Sequence, residues 1–118
     1  INIFFLDDES KRRAWGVVDA NPMLRRSTSL PSNIEITHKE AHKGAALAWL
    51  CRHLGVDVAD AVAFGDGDND LSMIRAAGDG VAMANAIPEV LAVADHVTSS
   101  CDEAGVAAYL EPILSAMA

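Results

Sequence analysis

Three aspartates alternate with glycine and asparagine in Gly65-Asp66-Gly67-Asp68-Asn69-Asp70, directly after the apolar run Ala61-Val62-Ala63-Phe64. Carboxylates this close together can bind a hard divalent cation, because such ions take several oxygen ligands. A calcium loop would also need glycine at its sixth position and a bidentate glutamate at its twelfth. Counted from Asp66, those positions hold Leu71 and Ala77, so the calcium reading is set aside. Mg2+ suits the loop better, since it is bound by a few carboxylates plus water and substrate phosphate oxygens rather than by a closed protein cage. A plain polar turn is the competing reading: Gly, Asn and Asp form turns, and acidic residues favour the start of a following helix. Further upstream, Lys43 opens an apolar helical run, where its ammonium could act as a point charge on a phosphate or a developing anion. An ordinary surface lysine is the alternative there.

The elements that must position these residues fall into two stretches. Ile1 to Leu6 reads as a short strand, residues 7 to 21 as a helix with an acidic start and apolar Ala14, Val17 and Val18, and residues 24 to 30 and 33 to 37 as two more strands. Residues 1 to 37 thus form a β-α-β-β unit, and the polar His38-Lys39-Glu40-Ala41-His42 is a linker. From Lys43 to Ala118 helices and strands alternate. The first helix, with Ala46, Leu47, Leu50 and Leu54 as its buried stripe, stops at Gly55; strands are expected at Ala61–Phe64, Gly80–Ala84 and His96–Ser99. Pro88 starts another helix, Ser100 and Glu103 form a capping box for the last one, and Pro112 should kink or end it near Glu111. Short strands alternating with helices predict a parallel sheet covered on both faces, which binds ligands at the carboxyl ends of its strands, where the acidic loop falls.

Composition narrows the function classes. The chain has 118 residues, 51% of them hydrophobic, and a formal net charge of −8, so it offers no basic face for nucleic acid or an anionic membrane surface. No apolar run reaches membrane-spanning length and no signal peptide is visible, which predicts a cytoplasmic protein. Cys51 and Cys101 lie far apart, with no metal-ligand spacing, and receive no function. The chain begins at Ile1 in mid-strand, which suggests a piece of a longer protein.

Lys43-Gly44 followed by Gly65-Asp66-Gly67-Asp68-Asn69-Asp70, Asn85-Ala86-Ile87-Pro88 and Asp95-His96-Val97-Thr98 resembles the carboxyl-terminal half of the haloacid dehalogenase superfamily, in particular its Cof-type phosphatases. The likeness covers residues 43 to 118, as part of a Rossmann-like α/β core; residues 1 to 37 resemble the closing part of the α/β cap those enzymes insert into it. The resemblance implies that Asp66 is a direct Mg2+ ligand, that Asp70 and Asn69 support the metal and phosphate site together with Gly67, and that Lys43 is the catalytic cation beside the nucleophile and the transferring phosphoryl group. Asp68 falls at the variable position of that motif. The linker departs from the usual Pro-Lys-Gly-x-Ser pattern, and its histidines, His38 and His42, are either substrate contacts or exposed side chains.

The nucleophile of that family, an aspartate in an Asp-x-Asp-x-Thr/Val loop that forms an aspartyl phosphate, is absent. Asp7 is followed two residues later by Glu9, and Asp66-Gly67-Asp68 has Asp70 at the fifth position. The expected function is therefore that of a Mg2+-dependent phosphatase acting on a small phosphorylated metabolite, by default a sugar phosphate, with its nucleophile in an amino-terminal half outside this sequence. The fragment alone is expected to be inactive and to associate with that half or with itself. A non-catalytic metal- or partner-binding module and the phosphorylation domain of a P-type ATPase are the competing readings; the second needs membrane spans that this chain lacks.

Overall fold

The computed structural model describes residues 1–118 and contains two separate three-stranded sheets. The first is antiparallel, built from β1 (Asn2–Phe4), β2 (Leu24–Ser27) and β3 (Asn33–His38) in the order β1-β3-β2, with helix α1 (Asp8–Asp19) between β1 and β2. Asp7 caps α1 by accepting from the Ser10 amide at 2.7 Å, and Asp8 and Glu9 complement the helix dipole in its first turn. Side chains on a strand alternate between faces, so Ile34 and Ile36 face α1 while Glu35 and Thr37 face away. Arg26, opposite Ile36, confirms the assignment by lying 4.4 Å over the Trp15 ring of α1 and pairing with Asp19. The face turned away from α1 is polar: cross-strand pairing sets Arg25 beside Thr37 and Ser27 beside Glu35.

The second sheet is parallel, β4 (Val62–Gly65), β5 (Asp79–Met83) and β6 (His96–Thr98) in that order. Helices α2 (Lys43–Leu54), α3 (Leu71–Ala76), α4 (Pro88–Leu91) and α5 (Gly105–Met117) accompany it. Ala82 packs with Ile74 of α3 and Val90 of α4 on one face, and Phe64 meets Tyr109 of α5 edge-on, at 5.6 Å between ring centroids, on the other. Central β5 is therefore covered on both faces, and Val81 and Ala82 have no exposed surface. The expected α/β architecture is present, and no helix is long and apolar enough to cross a membrane.

Several local expectations need correction. Leu50 and Leu54 of α2 are 45% and 64% exposed, Ala46 is exposed and Leu47 only half-buried; the helix instead buries Gly44 and Cys51. Periodicity identifies an apolar stripe, but a close approach through glycine decides which side of α2 meets α3. Helix α4 is a single turn, followed by a turn rather than by further helix. The Ser100–Glu103 box exists, but it closes a 3-10 turn at Cys101–Glu103, and Ala104, with φ 54°, separates that turn from α5. Of the two outcomes expected at Pro112, an end near Glu111 does not occur: the helix continues to Met117 with the proline inside it. Strand β3 reaches His38, one residue into the expected linker.

Candidate functional site at the carboxyl end of the parallel sheet

Strand β4 ends at Gly65, and the chain turns through Asp66 and Gly67 into a 3-10 turn at Asp68–Asp70 that leads straight into α3. Asp70 organises this bend. Its Oδ2 accepts from the amides of Asp66 at 3.0 Å and Gly67 at 3.1 Å, and its Oδ1 accepts from the Lys43 ammonium. A side chain at position 65 would collide with Asp70, since a Cβ there would lie 3.0 Å from Cγ and closer still to Cβ, so glycine is required for the carboxylate to sit over the strand end.

Lys43 arrives from α2. His42 caps that helix, its Nδ1 accepting from the Ala45 amide at 3.1 Å, which leaves the ring proton on Nε2. The next residue, Gly44, donates from its amide to the Ser72 hydroxyl at 3.1 Å, and a Cβ on it would overlap the Ser72 carbonyl. The first turn of α2 is thereby pressed against the start of α3, which brings Lys43 to Asp70 across 27 positions of sequence.

The pair is asymmetric: the Lys43 side chain is 47% exposed and that of Asp70 only 6%. Burial pushes the Asp70 pKa up, but the bond from Lys43, the amides of Asp66 and Gly67 and the Lys43 charge outweigh it, holding the carboxyl below the ordinary carboxylate value. Asp70 is thus ionised at neutral pH with both oxygens engaged. Asp66 is exposed and differently placed: its Oδ2 accepts from the Asn85 side chain at 3.3 Å, and its Oδ1 keeps its lone pairs. Asn85 is itself fixed by accepting from the Cys101 amide at 3.0 Å.

Two cavities meet here. One of about 640 Å3 is lined by Asp66, Asp70 and Asn85, and one of about 550 Å3 opens toward the polar face of the first sheet. Lys43 and Asn69 line both. The five residues singled out in the sequence, Lys43, Asp66, Gly67, Asn69 and Asp70, therefore lie around one cleft. Asp68 lines it too. His42 reaches the second cavity, whereas His38 lines neither and accepts from the Glu40 amide through its Nδ1.

A Mg2+ ion fits this donor set. No three His, Cys, Asp or Glu side chains form a closed cage, but Mg2+ needs only one or two carboxylates when water and phosphate oxygens supply the rest. The exposed carboxylate of Asp66, which lines the larger cavity and has one oxygen without a partner, meets that requirement. Sequence reasoning gave no role to Asn85 and Ser72. Asn85 was visible in its Asn-Ala-x-Pro element, whereas Ser72 acts through the Gly44 amide and left no signal of its own.

The family model for haloacid dehalogenase-like hydrolase matches residues 4–110, and the chain belongs to that family. A phosphatase of Bacillus subtilis, YwpJ, is 41% identical over 106 residues, which make up 90% of this chain and 37% of that protein. Among solved structures, a haloacid dehalogenase-like hydrolase from B. subtilis superposes with a TM-score of 0.86 at 35% identity, over 93% of this chain and 39% of its own. The sugar phosphatase BT4131, of subclass IIB, superposes with a TM-score of 0.81 at 32% identity, over 95% and 42%. The chain thus spans roughly two fifths of the length of these relatives, all of it matching a carboxyl-terminal portion.

Proposed function

We propose that residues 1–118 work as the carboxyl-terminal portion of a Mg2+-dependent phosphatase that hydrolyses the monoester of a small phosphorylated metabolite, residues 1–37 serving as part of a cap and residues 43–118 as half of the core. The observation that carries this reading is the free, exposed oxygen of Asp66 beside the Lys43–Asp70 pair, at the carboxyl end of a parallel strand. Phosphoryl transfer depends chiefly on positioning and on offsetting negative charge, and this cleft concentrates groups suited to both tasks.

In this reading Asp66 holds the metal directly and Asp70 fixes the loop that presents it. When bound, Mg2+ neutralises charge on the phosphoryl oxygens. Lys43, half-exposed at the junction of the two cavities, places its ammonium against the transferring group, and Asn69 offers its amide from the same loop. The attacking carboxylate belongs to polypeptide outside residues 1–118, so this stretch alone should not turn over. The exposed apolar side chains of α2, among them Trp49, Leu50 and Leu54, support packing against that remaining polypeptide. A sugar phosphate is the default substrate, in keeping with the likeness to a sugar phosphatase.

The test is hydrolysis of p-nitrophenyl phosphate by the full-length protein. Chelation should abolish the activity and added Mg2+ restore it, and Asp66→Ala should reduce kcat by about a thousandfold or more, in the range expected when a group stabilising transition-state charge is lost. A variant that kept the normal Mg2+-dependent rate would sink the assignment of Asp66.

A further inference from the structure

We infer that Arg25 reads a second anionic group on the substrate, so that the phosphatase acts on phosphomonoesters whose leaving group itself carries a carboxylate or another phosphate. This inference rests on the phosphatase reading above and concerns the other end of the same cleft. Arg25 lies on β2, on the polar face of the first sheet, and lines the 550 Å3 cavity that shares Lys43 and Asn69 with the phosphoryl end.

The charged groups around that cavity are not equally available. Lys43 is bonded to Asp70. Glu35 accepts from the hydroxyls of Ser29 at 2.6 Å and Ser27 at 3.3 Å, so both its oxygens are engaged. Glu40 is exposed to water. Arg25, by contrast, is half-buried and has neither an ion-pair nor a hydrogen-bond partner, while its neighbour Arg26 on the opposite face has both. The Thr37 hydroxyl, cross-strand from Arg25 and lining the same cavity, is likewise free.

A guanidinium presents donors in a fixed fork that matches a carboxylate or phosphate bidentately, and its interaction strengthens as water is excluded. In a chain of net charge −8, an unpaired cation facing a cavity is a local exception in an otherwise repulsive field. A ligand anchored by its phosphoryl group at Lys43 and at the metal held by Asp66 would extend its remaining part into this cavity, where Arg25 and Thr37 supply donors without a mate.

Binding to the full-length protein in Mg2+ separates this idea from the phosphatase reading, because phosphonates have a C–P bond that is not hydrolysed. Calorimetric titration would compare alkylphosphonates of three to six carbons with the ω-carboxylate and ω-phosphonate compounds of the same lengths. At one length or more, a second anion should tighten binding by at least tenfold. The better of the two series identifies the group as carboxylate or phosphate. Arg25→Ala and Arg25→Gln should erase the difference while leaving the plain alkylphosphonates within about twofold, and Arg25→Lys should keep part of it. The inference fails if no length favours the second anion, or if the preference survives both neutral substitutions. Absence of phosphomonoester turnover alongside an Arg25-dependent preference would overturn the phosphatase reading and leave the anion subsite standing.

Discussion

At the carboxyl end of the parallel sheet, Asp70 accepts from Lys43 and two amides; at the amino end, Asp79 accepts from Tyr109 at 2.6 Å and pairs with His96 at 2.8 Å. The two aspartates are electrostatically alike. In each, burial pushes the pKa up, and hydrogen bonds, together with a neighbouring basic side chain, outweigh it, leaving the carboxyl below its ordinary value. Their surroundings differ. Asp79, His96 and Tyr109 satisfy one another, and none of them lines either cavity at the other end. Beside Asp70, Asp66 keeps a free oxygen, and two cavities converge on Lys43. A perturbed carboxylate therefore marks order at both ends, and only at the carboxyl end is a group next to it left unsatisfied beside open space.

The comparison breaks most directly by removing each aspartate in the full-length protein. Asp70→Ala should lower kcat by about a hundred- to a thousandfold, because Lys43 loses its anchor and the loop presenting Asp66 loses two amide contacts. It should also cost about 2–3 kcal/mol of stability in urea unfolding, since the Asp66 and Gly67 amides lose their acceptor. Asp79→Ala should leave kcat within about twofold. Equal losses at both positions would mean that the two ends do not differ as their cavities indicate.

A smaller effect isolates positioning from charge. Gly44→Ala adds one methyl group that collides with the Ser72 carbonyl, forcing the first turn of α2, and with it Lys43, away from α3. The expected cost is about 1–3 kcal/mol, as for other overpacked sites, and kcat should fall by about tenfold or more although no charged group is touched. Gly16 in α1 is the control. A Cβ there meets nothing within 4 Å, so Gly16→Ala should stabilise the protein by about 0.5–1 kcal/mol through helix propensity alone. Thermal unfolding of both variants checks the opposite signs.

The contrast between Gly44 and Leu50 also shows where sequence reading reaches its limit. The acidic loop, Lys43 and the alternation of strands and helices were legible because each is local: spacing, turn formers and period suffice. The leucine stripe of α2 was legible as an apolar face, yet the face that packs on α3 is the glycine side, a fact that resides in the Ser72 backbone 28 positions away. Ser72 escaped for the same reason, and Asn85, although visible in its Asn-Ala-x-Pro element, received no role because the carboxylate it bonds lies 19 positions away. Arg25 carries no local signal either. Only the pairing of β2 with β3 shows that it and Arg26, adjacent in the chain, point to opposite faces and meet opposite fates.

The smallest expected effect lies at the amino end and concerns pH. The hydrogen bond to Asp79, followed by burial and the charges of Asp79 and Asp95, pushes the Tyr109 pKa from 10.0 to about 12. The folded state thus holds the phenolic proton more tightly than the unfolded chain. The stability this contributes is whole below pH 10, where both states are protonated, and is lost as pH rises from there through 12. Tyr109→Phe deletes the titrating group together with its bond to Asp79. It should cost about 1 kcal/mol or less at neutral pH and flatten the decline of stability between pH 10 and 12 relative to the parent, as read by urea unfolding at fixed pH steps. Catalysis at neutral pH should be unchanged, because the hydroxyl serves only the closed cluster. If Tyr109→Phe instead lowered kcat while leaving the alkaline limb as steep as before, the amino end would be coupled to the cleft at the opposite end of the strands.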